Sequence, residues 1–330
     1  MNFLIRIKKY LKLFFINIFI VILILISLEL CARLAVFVKF NKFSVGVTER
    51  TNYLSYQPFT MFGKNYYTFF KDVKENINDE EYNILLTGGS TAEGFDVKIL
   101  EKEIEKTINK SVNVFNAASA SFNSSQELIV LTQSLDIDFD LIISISGAND
   151  LLHSIIPSNI VGSFYLNQTY SIILRKPYLS PLVFILNNSQ LYKITRRFNK
   201  INNLEKSKPY EHANYLVDNI LRLQKVSKVN SSNYIFLLQP HLGFKEILSE
   251  SEKNFTLYEY RNDLIKSLYN HVDSKLKIES LKNNLNYIDG RYIYKTNKTI
   301  FSDDVHFKND TGYLILSKEI SRKLNSIIDN

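Results

Sequence analysis

Asn83-Ile84-Leu85-Leu86-Thr87-Gly88-Gly89-Ser90-Thr91-Ala92-Glu93-Gly94 joins a short apolar run to a turn of small residues. A run of that length bounded by glycines reads as a buried strand. From Val97 to Lys110 the apolar spacing becomes helical, so Ser90 stands where a strand gives way to a helix. In open α/β sheets ligands bind in the crevice beyond the carboxyl ends of the strands. A serine there serves as a nucleophile, a phosphate ligand or a helix cap. The turn alone does not separate the three.

The same alternation continues through the chain. Strand Val112–Asn116 leads to helix Ser124–Ser134, and strand Leu141–Ser146 follows, its apolar residues nearly continuous as expected when both faces are covered. Later come helix Glu211–Lys228, strand Tyr234–Leu238, helix Leu257–Leu281, a short strand at Tyr287–Ile288 and a final helix Thr311–Ile328. In the last helix Tyr313, Leu316, Ile320, Leu324 and Ile327 recur at i, i+3 and i+4 spacing. Strands alternating with helices predict a three-layer α/β/α domain around a mainly parallel five-stranded sheet over residues 81–330.

Two regions break the pattern. Residues 41–80 carry Tyr53, Tyr56, Phe59, Phe62, Tyr66, Tyr67, Phe69 and Phe70 without a regular period, and read as an aromatic stalk that packs onto the domain, with a ligand-binding aromatic strip as the alternative. Residues 157–210 are rich in Asn, Ser and Tyr and include Arg175, Lys176, Lys193, Arg196, Arg197 and Lys200. They read as an insertion, either a substrate lid or a solvated or membrane-facing excursion.

The amino terminus, residues 1–40, is a cytoplasmic start followed by a membrane anchor. Leu13 to Leu28 are apolar apart from Asn17 and Ser27, and the region continues to Val38 across Glu29 and Arg33. That length crosses a hydrocarbon core of about 30 Å. No small-x-small cleavage site follows, and the region is long for a signal peptide, which predicts an uncleaved helix. Arg6, Lys8, Lys9 and Lys12 precede it, against Arg33, Lys39 and Lys42 after it. By the positive-inside rule the amino terminus is cytoplasmic and the catalytic domain is exported.

Composition narrows the function classes. The net charge of +7 is spread along the chain, and no basic run is interleaved with aromatics as in an RNA-recognition motif, which argues against nucleic acid as a partner. Cys31, the single cysteine, leaves no intrachain disulfide and no cysteine-based metal cluster, and reads as an apolar residue of the anchor.

Four stretches carry groups that do chemistry. Gly88-Gly89-Ser90-Thr91 lacks the Lys of a phosphate loop and the second glycine of a G-x-S-x-G elbow. Asn116-Ala117-Ala118-Ser119-Ala120-Ser121-Phe122-Asn123-Ser124 joins a strand to a helix through small residues whose free N–H groups suit an anion, or is simply a loop capped at Asn123 or Ser124. Ser146-Gly147-Ala148-Asn149-Asp150 offers an amide that donates to a developing oxyanion, or an ordinary turn. Ser302-Asp303-Asp304-Val305-His306-Phe307 sets one of five histidines beside two carboxylates. A carboxylate that accepts the Nδ1 proton turns the other ring nitrogen toward a serine. Asp303, Asp304 and His306 are too few for a metal site, so no metal or other cofactor is expected.

The order of these four blocks resembles that of the SGNH (GDSL-type) hydrolase superfamily over Tyr82 to Asn330. The chain looks most like bacterial members with an amino-terminal anchor, whose first block reads G-G-S-T. Leu238-Gln239-Pro240-His241 resembles a further feature of that group. The resemblance implies a flavodoxin-like fold, with Ser90 as nucleophile, His306 as general base and Asp303 as the acid that orients it. It implies an oxyanion hole made by the Ser90 N–H, the Ser121 N–H and the Asn149 amide. Serine at 121 and alanine at 118 depart from the family's glycines; a backbone donor survives the change, but Cβ narrows the space above it. The implied activity is hydrolysis of an O-acyl ester, an O-acetyl ester on an envelope carbohydrate in particular. Two other readings stand beside it: an O-acyltransferase on a cell-surface polysaccharide that uses the same triad, and a catalytically idle binding component of an envelope-assembly complex, which the missing glycines and the insertion would support and the intact Ser90, Asn149, Asp303 and His306 count against. No protein partner is implied.

Overall fold

A computed structural model describes residues 2–40, 56–155, 160–164, 175–192, 208–253 and 259–328. The chain divides into two compact units, one from Met1–Tyr53 with Gln168–Asn203, the other from Leu54–Asn167 with Leu204–Asn330.

The first unit is built on helix α1 (Asn2–Phe40). Its stretch Tyr10–Ala35 has a mean hydropathy of 2.8, is not buried within the protein, and is long and apolar enough to cross a membrane.

The second unit opens with a hairpin of two short strands, Tyr56–Gln57 and Met61–Phe62, and helix α2 (Tyr66–Asn76). In the stretch read as a stalk, 41–55 lies outside the described residues, whereas 56–76 belongs to this unit. Phe62 and Tyr66 pack against Phe122, and the Tyr66 hydroxyl donates to the Ala117 carbonyl at 3.0 Å. The sheet then begins with β1 (Tyr82–Gly88), followed by the one-turn helix α3 (Ser90–Glu93) and by α4 (Val97–Ile108). Next come β2 (Val112–Asn116), α5 (Ser124–Gln133), β3 (Leu141–Ser146) and the short helix α6 (Ala148–Ser154). In the predicted insertion 157–210, only 160–164, 175–192 and 208–210 are described, including α7 (Ser180–Asn188) of the first unit. The domain resumes with α8 (Pro209–Ser227), β4 (Asn233–Leu238), the single turn α9 (Glu250–Lys253), α10 (Glu259–Asn283), β5 (Asn286–Asp289) and α11 (Asp310–Ile328).

All five strands are parallel, in the order β2-β1-β3-β4-β5, as the alternation of strands and helices predicts. The order reverses between β1 and β3, the switch point at which the strand ends part and leave a crevice. Side chains alternate between the faces with period two. Ile84, Leu86, Leu141, Ile143, Ile145, Ile235, Leu237 and Ile288 form one core with Leu100 and Ile104 of α4 and Leu316, Ile320 and Leu324 of α11. Each such buried side chain contributes about 1.5–3 kcal/mol relative to exposure. On the other face α5, α6, α8 and α10 pack against one another.

That second face has a polar seam beneath the switch point. Glu127 of α5 is 1% exposed, and one carboxyl oxygen accepts from Thr87 Oγ1 at 3.2 Å and from Ser144 Oγ. Its other oxygen has no hydrogen-bond partner among the described residues. Burial pushes the Glu127 carboxyl up to about 7, against the lowering effect of the hydroxyls of Ser144, Ser146 and Thr87. Nearby, burial also raises Asp150 to about 6.

An acid whose folded pKa lies above its unfolded value favours the fold when protonated. Its contribution is complete below the unfolded pKa and is lost as pH rises through the folded one. Wild-type stability therefore falls between about pH 4.5 and 7 as Glu127 ionises in the unfolded chain first. Glu127→Gln should remove much of that fall, on the order of 3 kcal/mol at neutral pH. Urea unfolding of the two proteins at several pH values checks this; parallel stability curves would exclude a protonated Glu127.

Candidate active site

Gly88 ends β1 with φ +143°, in the region that favours glycine. A Cβ there would lie 2.3 Å from the Ile145 carbonyl oxygen and 2.7 Å from Ala92 Cβ. The absence of a side chain lets β1 close onto β3 while the chain turns into α3. Ser90 is the first residue of that helix, half-buried, and its N–H lies in the first turn, where no helical carbonyl precedes it.

His306 Nε2 lies 2.6 Å from Ser90 Oγ, and His306 Nδ1 lies 2.7 Å from Asp303 Oδ2. With Nδ1 donating to the carboxylate, Nε2 is left as the acceptor of the serine hydroxyl proton. It is the Asp303 carboxylate, rather than that of Asp304, that meets the ring. Asp303 Oδ1 also accepts from the backbone N–H groups of Val305 at 2.9 Å and His306 at 2.8 Å. Partial burial works to raise the Asp303 carboxyl, yet the His306 ring and these two N–H groups outweigh it and hold it at about 2. It is therefore ionised wherever the histidine can act as a base.

The loop carrying both residues is held from several sides. Ser302 N donates to His306 O and Lys308 N to Ile300 O, each at 2.8 Å, closing an antiparallel bridge between Phe301 and Phe307. Thr91, next to Ser90, donates from Oγ1 to the Val305 carbonyl at 3.0 Å and accepts from Gln239 Nε2 at 2.7 Å. Leu242 N donates to Asp304 O at 2.8 Å. Glu252, fully buried with Lys245, accepts from Ile300 N and Phe301 N at 2.8 and 3.0 Å. Thr91 and Glu252 escape sequence reading because their partners lie far along the chain. Gln239 lies in Leu238–His241, which its place after a strand and its resemblance to a family feature single out without assigning a role.

The second and third stretches meet beside Ser90. Ser119 N donates to Gly88 O at 3.1 Å, and Asn116 Nδ2 donates to Ala92 O at 2.8 Å, which ties the loop after β2 to α3. Ser121 has φ +63°, a left-handed conformation that glycine adopts more readily, and its N–H has no partner among the described residues. Asn149, in the first turn of α6, donates from Nδ2 to the Phe122 carbonyl at 2.7 Å. The second hydrogen on Nδ2 has no acceptor among the described residues. A Cβ on Gly89 would lie 2.6 Å from that nitrogen, so glycine at 89 lets the amide sit directly over the Ser90 turn. Ser90, Ser121, Asn149, Asp303 and His306 are thus brought to one place. A hydroxyl is paired with a ring nitrogen, and the loop with the Ser121 N–H and the Asn149 amide lies beside the same turn. Such a set can perform nucleophilic acyl chemistry. No group of three or more His, Cys, Asp or Glu suited to a metal ion occurs among the described residues.

No protein-family model and no curated protein matches the sequence. Among solved structures, the chain is similar to a GDSL-like lipase from Bacteroides thetaiotaomicron at 13% identity and a TM-score of 0.47, over 82% of this chain and 100% of that one. It is similar to a member of the lipolytic protein G-D-S-L family from Veillonella parvula at 13% identity and a TM-score of 0.41, over 73% and 96%. A lipase/acylhydrolase from Enterococcus faecalis is similar at 16% identity and a TM-score of 0.40, over 74% and 96%.

A carboxylate whose folded pKa is depressed contributes stability above its unfolded pKa and loses it as pH falls through the folded one. For Asp303 that window runs from about 4 down to about 2. Asp303→Asn should flatten this part of the acid limb in denaturant titrations. An unchanged acid limb would mean that the carboxylate is not held by the histidine loop.

Proposed function

We propose that this chain is a serine esterase of SGNH type, tethered to a membrane by α1, which removes an O-acyl group from a carbohydrate of the cell envelope. The observation that carries this reading is the continuous hydrogen-bond chain from Ser90 Oγ through His306 to the Asp303 carboxylate. Ser90 Oγ attacks the ester carbonyl carbon as His306 Nε2 takes its proton, and Asp303 stabilises the imidazolium. The oxyanion accepts from the N–H groups of Ser90 and Ser121 and from the unpaired Nδ2–H of Asn149. As the tetrahedral intermediate collapses, the bond to the alcohol oxygen breaks and His306 returns the proton to it. Water, deprotonated by the same nitrogen, then releases the acid and restores Ser90.

The Cβ of Ser121 narrows the space beside the oxyanion, which favours a small acyl group such as acetyl. The anchor and the basic residues ahead of it support an exported domain, and a glycan ester is the acyl substrate that such a location offers. Passing the acyl group to a sugar hydroxyl instead of water would use the same acyl-enzyme.

The full chain in detergent micelles, assayed with short aryl acetates and acetylated oligosaccharides, tests the reading. Ser90→Ala and His306→Ala should fall to background. Asn149→Ala should lose about 10²- to 10³-fold in kcat, the worth of one oxyanion donor. Equal turnover in wild type and both triad variants would reject the esterase and leave a binding component. Turnover only with an added sugar acceptor would identify a transferase. A reporter fused after Asn330 should signal outside the cytoplasm, and a cytoplasmic signal would overturn the glycan substrate.

A further inference from the structure

Near the carboxyl-terminal end of its apolar stretch the proposed anchor carries Glu29 and Arg33, and both have partners in the first unit. Glu29 accepts from Arg33 Nε at 2.8 Å, Ser189 Oγ at 2.7 Å, Gln190 N at 2.8 Å and Leu191 N at 3.0 Å. Arg33 donates from Nη2 to the Asn188 carbonyl at 3.0 Å. A carboxylate within a membrane span is costly unless it is paired and hydrogen-bonded. Here its oxygens take up donors from a segment more than 150 residues away in the chain.

That segment directly follows α7, nine residues that include Leu182-Val183-Phe184-Ile185-Leu186. Leu182 and Ile185 within it are three residues apart and so share a side, and Tyr178 lies in the 3-10 turn Pro177–Leu179 that leads into it. Tyr178, Leu182 and Ile185 are 74%, 51% and 63% exposed, more than half open in every case among the described residues. Nine helical residues span about 14 Å, too short to cross a bilayer. At about 1.5 Å per residue, Glu29 lies about 9 Å before the end of the apolar stretch at Ala35, within the depth range of interfacial helices. Arg175 and Lys176 precede α7, and Lys193, Arg196, Arg197 and Lys200 follow it in the sequence, in number and sign suited to anionic headgroups.

We propose that α7 is a second membrane element. It lies in the interface of the leaflet that α1 leaves, with Tyr178, Leu182 and Ile185 in the acyl region, and Glu29 and Arg33 clamp its carboxyl-terminal end to the anchor. The occupant of the apolar strip is the lipid bilayer itself. This rests on α1 being a membrane anchor and is independent of the esterase chemistry.

The chain has no tryptophan, so a single introduced indole reports its own surroundings. Full-length Ile185→Trp and Leu182→Trp would be reconstituted in phosphatidylcholine–phosphatidylglycerol vesicles, alongside Phe19→Trp in the anchor and Tyr67→Trp, which is 83% exposed in the second unit. The indoles at 182 and 185, like that at 19, should be quenched severalfold by lipids brominated on the acyl chain and shielded from iodide. The indole at 67 should behave in the opposite way. Adding Glu29→Ala should raise the iodide sensitivity at 185 severalfold. Iodide quenching without bromolipid quenching at 182 and 185, while position 19 remains lipid-quenched, overturns the proposal alone. Escape of position 19 from bromolipid overturns the anchor and the proposal together. Quenching at 185 that Glu29→Ala leaves unchanged overturns the clamp.

Discussion

At Gly88 two strands of the sheet approach so closely that a methyl group would lie 2.3 Å from the Ile145 carbonyl oxygen. The position of Ser90 depends on this contact. With no side chain at 88, β1 can end against β3, turn through a positive φ and start α3 at once, with Ser90 at its first position. Gly89 adds the same freedom one residue later, leaving room for the Asn149 amide over the turn. The Ser90 hydroxyl and the Asn149 amide beside it are therefore placed by packing between parallel strands. Precision of this kind is what the proposed acyl chemistry would require, because misplacement of reacting groups by about 1 Å costs orders of magnitude in rate.

The histidine arrives from the other end of the chain, on a loop outside the sheet. Its position is specified by polar contacts. Thr91 links the residue after Ser90 to the Val305 carbonyl, Gln239 holds Thr91, and the buried Glu252 takes the N–H groups at the start of the loop. Within the loop, Asp303 binds both the backbone and the ring of the segment it orients. The three hydrogen bonds that lower the Asp303 carboxyl to about 2 also hold the imidazole toward Ser90. Electrostatics and positioning are one set of contacts here.

The first unit follows the opposite logic. Among its described residues α1 is an unburied apolar helix, and its organising contacts are the polar ones at Glu29 and Arg33. Each Glu29 oxygen takes up donors from the segment after α7, so that segment acquires a fixed place on α1. An interruption of the apolar run becomes the point at which a distant segment is held.

Much of this protein was legible in its residues. Strand and helix periods are local properties, and the apolar runs at 83–87, 112–116, 141–146 and 234–238 each became a strand of the parallel sheet. The four stretches with chemical groups were visible because each combines small residues with a hydroxyl, amide, carboxylate or imidazole at a strand end or before the last helix. Shorter elements were not visible. Helices α3 and α6 have four and seven residues, less than the two turns over which a helical period can declare itself. In α2 a cluster of aromatics hid the period, and the helix emerged through its burial against Phe122. No local pattern pairs Thr91 with Val305, selects Asp303 over Asp304, or joins Glu29 to Ser189. Those pairings span three-dimensional distances of one hydrogen bond and chain distances of three to more than two hundred residues. The residue types and the order of elements followed from the chain's own chemistry; which groups meet followed from the packing that brings distant backbone together.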